Sequence, residues 1–161
     1  MSEASAVPEF AAALGRLPSG IFVLTAKSGA DETGMLASWV QQAGFEPPMV
    51  TVAIKLGRYV GDWLEQGEEF ILNALPEKSH LMKHFGRGFE PGEPAFTGVN
   101  IDRARENGPP ILTEALAYLV CRGSKAIDSG DHRIYLAEVT GGATLRDEKP
   151  AVHIRKNGLH Y

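Results

Sequence analysis

The stretch that decides the fold is ALAYLVCRGSKAI (115–127), followed by DSGD (128–131) and HRIYLAEVTGGATL (132–145). Aliphatic, aromatic and β-branched residues dominate the two long segments, and a polar turn with a glycine separates them. This pattern predicts two long antiparallel strands joined by a tight turn. The chain is therefore expected to be built around a β-hairpin and not around a doubly wound sheet.

Shorter segments on both sides of this hairpin have a similar character. Strands are predicted at 20–26, 35–42, 49–54, 70–75 and 151–155, and short helices at 58–66 and after Ser79. The segment 86–110 is rich in Gly, Pro, Asn and charge without periodicity, which predicts a functional loop or lid. Six or seven strands with two helices favour an antiparallel β-barrel with helices attached.

Length and composition limit the class of protein. The 161 residues are 43% hydrophobic and 22% charged, which predicts one globular domain over 1–161, with 1–12 as a flexible or helical extension. A net charge of -4 without a basic run argues against nucleic acid as a partner. No apolar stretch approaches the roughly 20 residues that span a bilayer, and there is a single cysteine. A cytoplasmic protein without membrane contact or disulfide is expected.

The common catalytic motifs are missing from the sequence. It contains no P-loop, no Gly-x-Gly-x-x-Gly, no Gly-x-Ser-x-Gly and no His-Glu-x-x-His. Acidic residues are scattered, so spacing identifies no pair for general acid/base catalysis. His80 and His84 have the i, i+4 spacing that can bind one metal ion, but no third ligand is indicated. We interpret them as surface or helix-end histidines, without a metal.

Three short motifs remain candidates for a binding site. His132 follows a Gly-Asp turn, where its imidazole either points into a pocket as donor or proton relay or bonds the preceding carboxylate. Ser38 and Trp39 face opposite sides of a strand, and either one of them contacts a ligand or both serve packing and backbone bonds. Lys55 and Arg58 lie between a strand and a helix, where they either bind a phosphate or stay solvated.

Several runs, taken in order along the chain, carry a resemblance to a known family. They are ALGRLPSGIFVLTAK (13–27), GMLASWV (34–40), FILN (70–73), KHF (83–85), FEPGE (89–93), NGPPIL (107–112), ALAYLVC (115–121), GDH (130–132) and VHIRK (152–156). Together they resemble the flavin reductase-like, FMN-binding split-barrel family. The likeness is closest to the C-terminal flavin reductase module of cyanobacterial diflavin flavoproteins, the flavodiiron proteins. The diiron and flavodoxin-like domains that precede this module there are absent from the sequence, so diiron chemistry is not expected of this chain alone.

The resemblance implies a mainly β fold, a six-stranded antiparallel Greek-key split β-barrel with a few short helices. It implies a homodimer that holds FMN or FAD near the subunit interface. His132 matches the histidine of the family's Gly-Asp-His turn, near the flavin ring and the nicotinamide approach, and is the candidate catalytic residue. The implied flavin-binding residues are Leu36, Ala37, Ser38, Trp39, Val40 and Gln41 along the ring and ribityl chain, Lys55 and Arg58 near the phosphate, and Asn73, Phe85 and Gly86 near the ring.

The function implied by this resemblance is reduction of bound or exchangeable flavin by NADH or NADPH, through hydride transfer to flavin N5. Because the flavin performs this chemistry, no catalytic triad or carboxylate pair is needed. The alternative is an FMN-binding electron-transfer flavoprotein that a partner protein reduces. An electron-acceptor protein is a further expected partner, and haem or a deazaflavin in place of the flavin is a third option, since fold does not fix function.

Overall fold

The computed structural model describes residues 6–103 and 105–161. The described helices are α1 (Phe10–Leu14), α2 (Tyr59–Glu65) and α3 (Leu81–Gly86). The described strands are β1 (Ser19–Gly20), β2 (Phe22–Ser28), β3 (Asp31–Ala37), β4 (Val40–Phe45), β5 (Pro48–Lys55), β6 (Glu69–Ala74), β7 (Ile101–Asp102), β8 (Ile111–Leu112), β9 (Ala117–Ser129), β10 (His132–Thr144) and β11 (Val152–His153). The fold is mainly β, as the sequence predicted.

The hairpin predicted from 115–145 is confirmed. β9 and β10 each contain 13 residues and pair antiparallel, with His132 opposite Ser129. Gly130 and Asp131 form the connecting turn, and Gly130 adopts a φ of 69°. A positive φ at this position favours glycine, which explains how so short a turn can join two long strands.

The hairpin lies in the middle of a seven-stranded antiparallel sheet with the order β3-β2-β6-β9-β10-β5-β4. The edge strands β3 and β4 are consecutive in the chain and are connected by Ser38 and Trp39. The sheet therefore curls until its two edges meet. At this seam the Ala53 N–H donates a hydrogen bond of 3.0 Å to the Trp39 carbonyl. This is the split-barrel arrangement that the resemblance implied.

The single strand predicted at 35–42 is divided in the structure. Met35 pairs with β2, whereas Val40 pairs with β5 at the opposite edge of the sheet. Alternation of apolar and polar side chains indicates an extended backbone but does not identify the partner strand. The change of partner at 38–39 therefore could not be predicted from the sequence pattern. The division gives seven strands in the main sheet where the resemblance implied six.

Both predicted helices are present as α2 and α3. Ser79 accepts a hydrogen bond of 3.2 Å from the Leu81 N–H at the start of α3, and Gly67 follows α2 with a φ of 78°. The predicted extension over 1–12 falls partly on residues 1–5, which lie outside the described residues, and its last residues begin α1. Residues 87–100 form no helix or strand, and the next element, β7, pairs with β8.

Three apolar clusters among the described residues stabilise the fold, and two of them are large. One fills the interior of the barrel and includes Leu24, Val52 and Phe70, and the other lies between β2, β3 and α3 around Phe85. A Cβ added to Gly34 of β3 would lie 2.5 Å from the Phe85 ring. The absence of a side chain at Gly34 therefore lets α3 approach the sheet closely and places its C-terminal end beside the seam.

The 155–161 segment runs along α1. The Arg155 N–H donates to the Gly15 carbonyl at 3.0 Å, and the Gly158 N–H donates to the Ala11 carbonyl at 2.7 Å. Strands β1 and β11 pair beside these contacts. None of the helices formed by the described residues is long and apolar enough to cross a lipid bilayer.

Candidate functional site

A cleft of about 320 Å³ lies at the seam of the sheet. Its first side is the sheet wall, formed by residues 36–39 and 53–55. Residues at and just beyond the end of α3 form a second side, and the 155–161 segment contributes a third. The lining residues are Ile21, Met35, Leu36, Ala37, Ser38, Trp39, Ala53, Ile54, Lys55, Arg58, Phe85, Gly86, Gly88, His153 and Tyr161.

Most of the site residues predicted from the sequence line this cleft. They come from β3, β5, α3 and the connections beside them, which are distant in the sequence and meet only because the sheet curls. The predicted residues in the wall are Leu36, Ala37, Ser38, Trp39, Lys55, Arg58, Phe85 and Gly86.

Asn73 was predicted to lie near the ligand, but the structure does not bring it to the cleft wall. It is fully buried in β6, and its amide nitrogen donates to the Val23 carbonyl at 3.0 Å and to Thr25 Oγ1 at 3.3 Å. Its amide oxygen accepts a hydrogen bond of 2.9 Å from the Leu112 N–H. Both ends of the amide are thus bonded inside the protein framework behind the cleft.

Val40 and Gln41 also lie outside the cleft wall. They follow the Ser38–Trp39 connection and belong to β4, where they pair with Val52 and Thr51 of β5. Val40 packs against the barrel interior and Gln41 is exposed. The predicted lining strand therefore contributes its first half to the cleft, up to Trp39, and its second half to the sheet.

Two cations stand beside the apolar part of the wall. Lys55 ends β5 and Arg58 immediately precedes α2. Within the described part of the chain neither residue forms an ion pair with a carboxylate. The Arg58 guanidinium lies close to Gly88, where an added Cβ would be 3.3 Å from Nη1. This pair of cations is suited to an anionic group at one end of a bound molecule.

Ser38 adds a polar group to the centre of the sheet wall. It is half-buried, and its hydroxyl has no hydrogen-bond partner among the described residues. An unpaired hydroxyl can donate or accept one bond to a ligand.

Trp39 is enclosed by other side chains. The Arg155 guanidinium lies over its indole at 5.0 Å from the ring centroid, and the His132 ring packs against it at 4.6 Å with an interplanar angle of 51°. These contacts fix the indole at the edge of the cleft and cover part of its surface.

His132 lies behind the cleft wall. It is 5% exposed, its Nδ1 lies 2.7 Å from Asp131 Oδ1, and its Nε2 is hydrogen-bonded to the Tyr161 hydroxyl. The hydrogen bond from His132 lowers the pKa of the Asp131 carboxyl, which is exposed to solvent. Both ring nitrogens of this histidine are therefore already paired within the protein.

Tyr161 is one of the cleft residues that were not predicted from the sequence. Its ring lies 5.6 Å from Trp39 and 5.9 Å from His132, and burial raises the pKa of its phenol. No periodicity or motif surrounds it, and its aromatic character was the only available signal. The other unpredicted lining residues are Ile21, Met35, Ala53, Ile54, Gly88 and His153.

His80 and His84 make separate contacts in the structure. His84 Nε2 is hydrogen-bonded to the Ala95 carbonyl at 2.8 Å, and His80 is exposed, 3.7 Å from Glu114. No group of three or more His, Cys, Asp or Glu side chains within 6–103 and 105–161 is arranged to hold a metal ion.

Comparison with known proteins identifies the family of the chain. A family described as flavin reductase like domain matches residues 14–158. Diflavin flavoprotein A 1 of a Synechocystis species is 43% identical over 92% of this chain, and a second diflavin flavoprotein of that organism is 46% identical over 98%. The chain spans about a quarter of the length of these relatives, 27% and 26%.

Solved structures share the fold. The NADH:FAD oxidoreductase of Streptomyces globisporus has a TM-score of 0.80 and 24% identity, with 89% of this chain and 85% of that chain covered. The same enzyme has been solved in complex with NAD and FAD fragments. The styrene monooxygenase flavin reductase of Pseudomonas putida has a TM-score of 0.75 and 25% identity, with 91% and 93% covered. The chain therefore belongs to the flavin reductase-like domain family, and with it to the oxidoreductases.

Proposed function

We propose that the cleft binds FMN or FAD and that the chain reduces this flavin with NADH or NADPH. The observation that carries the proposal is the placement of an apolar and aromatic wall next to two cations that form no ion pair within the described residues. A flavin nucleotide has a planar apolar ring at one end and a phosphate at the other, so it matches both parts of the cleft. Membership of the flavin reductase-like family supports the same ligand.

The residues of the cleft fit a flavin in their chemistry. Lys55 and Arg58 would neutralise the phosphate, and the unpaired Ser38 hydroxyl would bind a polar group of the ring or ribityl chain. Leu36 and Phe85 would contact the ring with apolar surface. The sheet wall contains no carboxylate that would repel the phosphate.

The chain's own contribution to the reaction is binding and orientation. A bound flavin would supply the hydride-accepting redox chemistry that the side chains lack. The sheet wall holds one side of the site in a fixed position, the apolar side chains exclude water, and the cations fix the phosphate end. No side chain has to act as a nucleophile.

A second candidate function is electron transfer without NAD(P)H activity. The specific observation that favours it is the identity of 43% and 46% to diflavin flavoproteins, of which this chain spans about a quarter. In a longer protein of that kind, a flavin domain can receive electrons from a partner or pass them to one. The acceptor in either case is proposed to be a protein or dioxygen.

An anaerobic titration separates these two functions. The protein is loaded with FMN or FAD, freed of excess, and titrated with NADH and then NADPH while the visible flavin absorbance is followed. Rapid bleaching by one nucleotide supports the reductase and identifies its donor. A bound flavin that neither nucleotide bleaches supports the electron-transfer candidate, and failure to bind any flavin contradicts both.

The phosphate assignment has its own test. Arg58→Ala should weaken FMN binding about tenfold through loss of a charge-assisted contact, and should leave riboflavin, which has no phosphate, unchanged. Lys125→Ala removes an exposed lysine of β9 away from the cleft and is the matched control. An equal loss of affinity for riboflavin and FMN contradicts the assignment of Arg58.

We also propose that the chain forms a homodimer. Exposed apolar residues from neighbouring segments support it: Leu17 is 63% exposed, Val152 63% and Ile154 53%. Light scattering is expected to give twice the chain mass of 17.4 kDa. Ile154→Asp should give the monomer mass, whereas the remote control Ile127→Asp should not. A cytoplasmic location remains a prediction from the sequence.

A further inference from the structure

Tyr161 is more exposed than the other two aromatic residues that line the cleft, Trp39 and Phe85. It is 77% exposed, although it lines the cleft and contacts Trp39 and His132. An exposed electron-rich ring beside a cleft is a surface on which a planar ligand can stack. We infer that Tyr161 is a binding residue whose ring stacks against the electron-poor ring of a bound flavin or nicotinamide, and that His132 and Asp131 are its positioning residues.

This inference rests on the proposed function, since it needs a cofactor with a planar ring in the cleft. The other two aromatic side chains of the wall are poorly suited to stacking. Trp39 has Arg155 over its ring and His132 packed against it. Phe85 is 1% exposed and is held against Gly34. Tyr161 is left as the aromatic surface that a ligand can cover.

The hydrogen bonds of His132 define how Tyr161 is held. The Asp131 carboxylate can only accept, so Nδ1 of the neutral imidazole carries the proton and donates it to Asp131. Nε2 then accepts a hydrogen bond from the Tyr161 hydroxyl. Although the residue as a whole is exposed, its hydroxyl is partly enclosed beside His132, and this desolvation raises the pKa of the phenol, which keeps its proton at neutral pH and remains a donor. The side chain of His132 is 7% exposed, so we expect it to affect a bound ligand through its contact with Tyr161 and not directly.

The backbone near Tyr161 makes this side-chain support necessary. The 155–161 segment is tied to α1 by the Arg155 and Gly158 N–H groups, and the Leu159 N–H is bonded to Asn157 Oδ1 at 3.0 Å. Beyond Leu159 the ring is held by its contacts with His132 and Trp39. An aromatic residue at the end of a lightly tied segment needs such a fixed partner if its ring is to be preorganised for stacking.

Titration of the apoprotein with FMN and with FAD, followed by quenching of the flavin fluorescence, tests the stacking. If the ring stacks on the flavin, Tyr161→Ala should raise the dissociation constant about three- to tenfold and weaken the quenching. Tyr161→Phe keeps the ring but removes the hydrogen bond to His132, so both values should lie between those of wild type and Tyr161→Ala. If the ring stacks on the nicotinamide, the flavin constants stay at the wild-type value and the same change appears in the KM for NADH or NADPH.

The positioning role of His132 is tested by a double-mutant cycle. His132→Ala should weaken the same binding step in the wild-type background and should have no further effect in the Tyr161→Ala background. His160→Ala is the matched control, because this exposed neighbour lies outside the cleft wall, and it should change neither constant. Circular dichroism verifies that each variant is folded.

Two outcomes overturn the inference. One is a Tyr161→Ala variant that binds both cofactors as wild type does, or more tightly, since tighter binding means that the ring covers the cleft. The other is an effect of His132→Ala that is equal in both backgrounds, which means that His132 touches the ligand directly. Failure of the proposed function is distinguishable, because the wild-type chain itself would then bind no flavin in this titration.

Discussion

Two of the three sides of the cleft, the sheet wall and the 155–161 segment, differ in how the chain holds them. The sheet wall is part of the hydrogen-bonded barrel, and the Trp39 carbonyl ties its two edges together. The 155–161 segment is held by a few backbone bonds to α1 and the residue after it, and by the side-chain contacts of Arg155 and Tyr161. A change behind the sheet wall should therefore lower the stability of the whole fold, whereas a change in the 155–161 segment should affect ligand binding and leave stability nearly intact.

The largest effect is expected from Asn73→Leu, in the framework behind the sheet wall. The substitution removes the hydrogen bonds to the Val23 carbonyl and to Thr25, and leaves the buried Leu112 N–H without its acceptor. The free energy of unfolding should fall by about 3 kcal/mol, because buried polar groups lose their partners. Urea denaturation measures the change.

Asn100→Leu is the control for this variant, since it removes an exposed amide and should cost less than about 0.5 kcal/mol. The dissociation constant of folded Asn73→Leu for FMN should stay within about twofold of the wild-type value, a difference of about 0.4 kcal/mol in binding free energy. Unchanged stability with loss of FMN binding would mean that Asn73 contacts the ligand, as the resemblance implied.

A smaller loss of stability is expected from Gly34→Ala. The new Cβ would lie 2.5 Å from the Phe85 ring, so α3 has to move away from β3 at a cost of about 2 kcal/mol. FMN affinity should fall as well, because Phe85 and Gly86 line the cleft. Gly141→Ala in β10 meets no atom closer than 3.8 Å and should be nearly neutral. Equal melting temperatures of the two variants contradict this account of α3 docking.

The parts of the molecule that could be predicted from the sequence are those with local sequence signals. The β9–β10 hairpin was predictable because residue type and the Gly130 turn are local signals. Helices α2 and α3 were predictable for the same reason, from apolar spacing and the glycines beside them. Residues 36–39, Lys55 and Arg58 were assigned to one site by resemblance, and the curled sheet brings them together.

The remainder depended on tertiary contacts. The division of the 35–42 strand is a change of partner, which alternation cannot report. Asn73 is a polar residue in an apolar strand. The sequence pattern is the same whether such a residue faces a ligand or forms hydrogen bonds within the protein framework. Tyr161 reaches the cleft because the 155–161 segment packs on α1. His132 is bonded to the Tyr161 hydroxyl and lies behind this residue, outside the cleft wall.

A weaker effect is expected from Gly158→Val in the 155–161 segment. Any Cβ at this position would lie 2.1 Å from the Leu14 Cβ, so the segment must leave α1 and carry Tyr161 away from the cleft. Cofactor binding should weaken about threefold, as for loss of an aromatic contact, while the melting temperature changes little. Lys156→Ala is the control from the same segment. A loss of stability as large as that of Gly34→Ala would show that this segment is part of the cooperative barrel.

The smallest effect is expected for chemical labelling of Cys121 in the native protein. The labelling rate of this buried thiol measures how often the sheet opens. This thiol is fully buried in β9 between β6 and β10, and burial raises its pKa to about 12. At pH 8 only about one thiol in ten thousand is then ionised, so iodoacetamide should leave folded wild type unlabelled and react after unfolding. Gly158→Val and Tyr161→Ala should label as slowly as wild type, whereas Asn73→Leu should label faster in proportion to its lost stability. If Gly158→Val labels as fast as Asn73→Leu, the two sides of the cleft open together and do not differ in the way proposed.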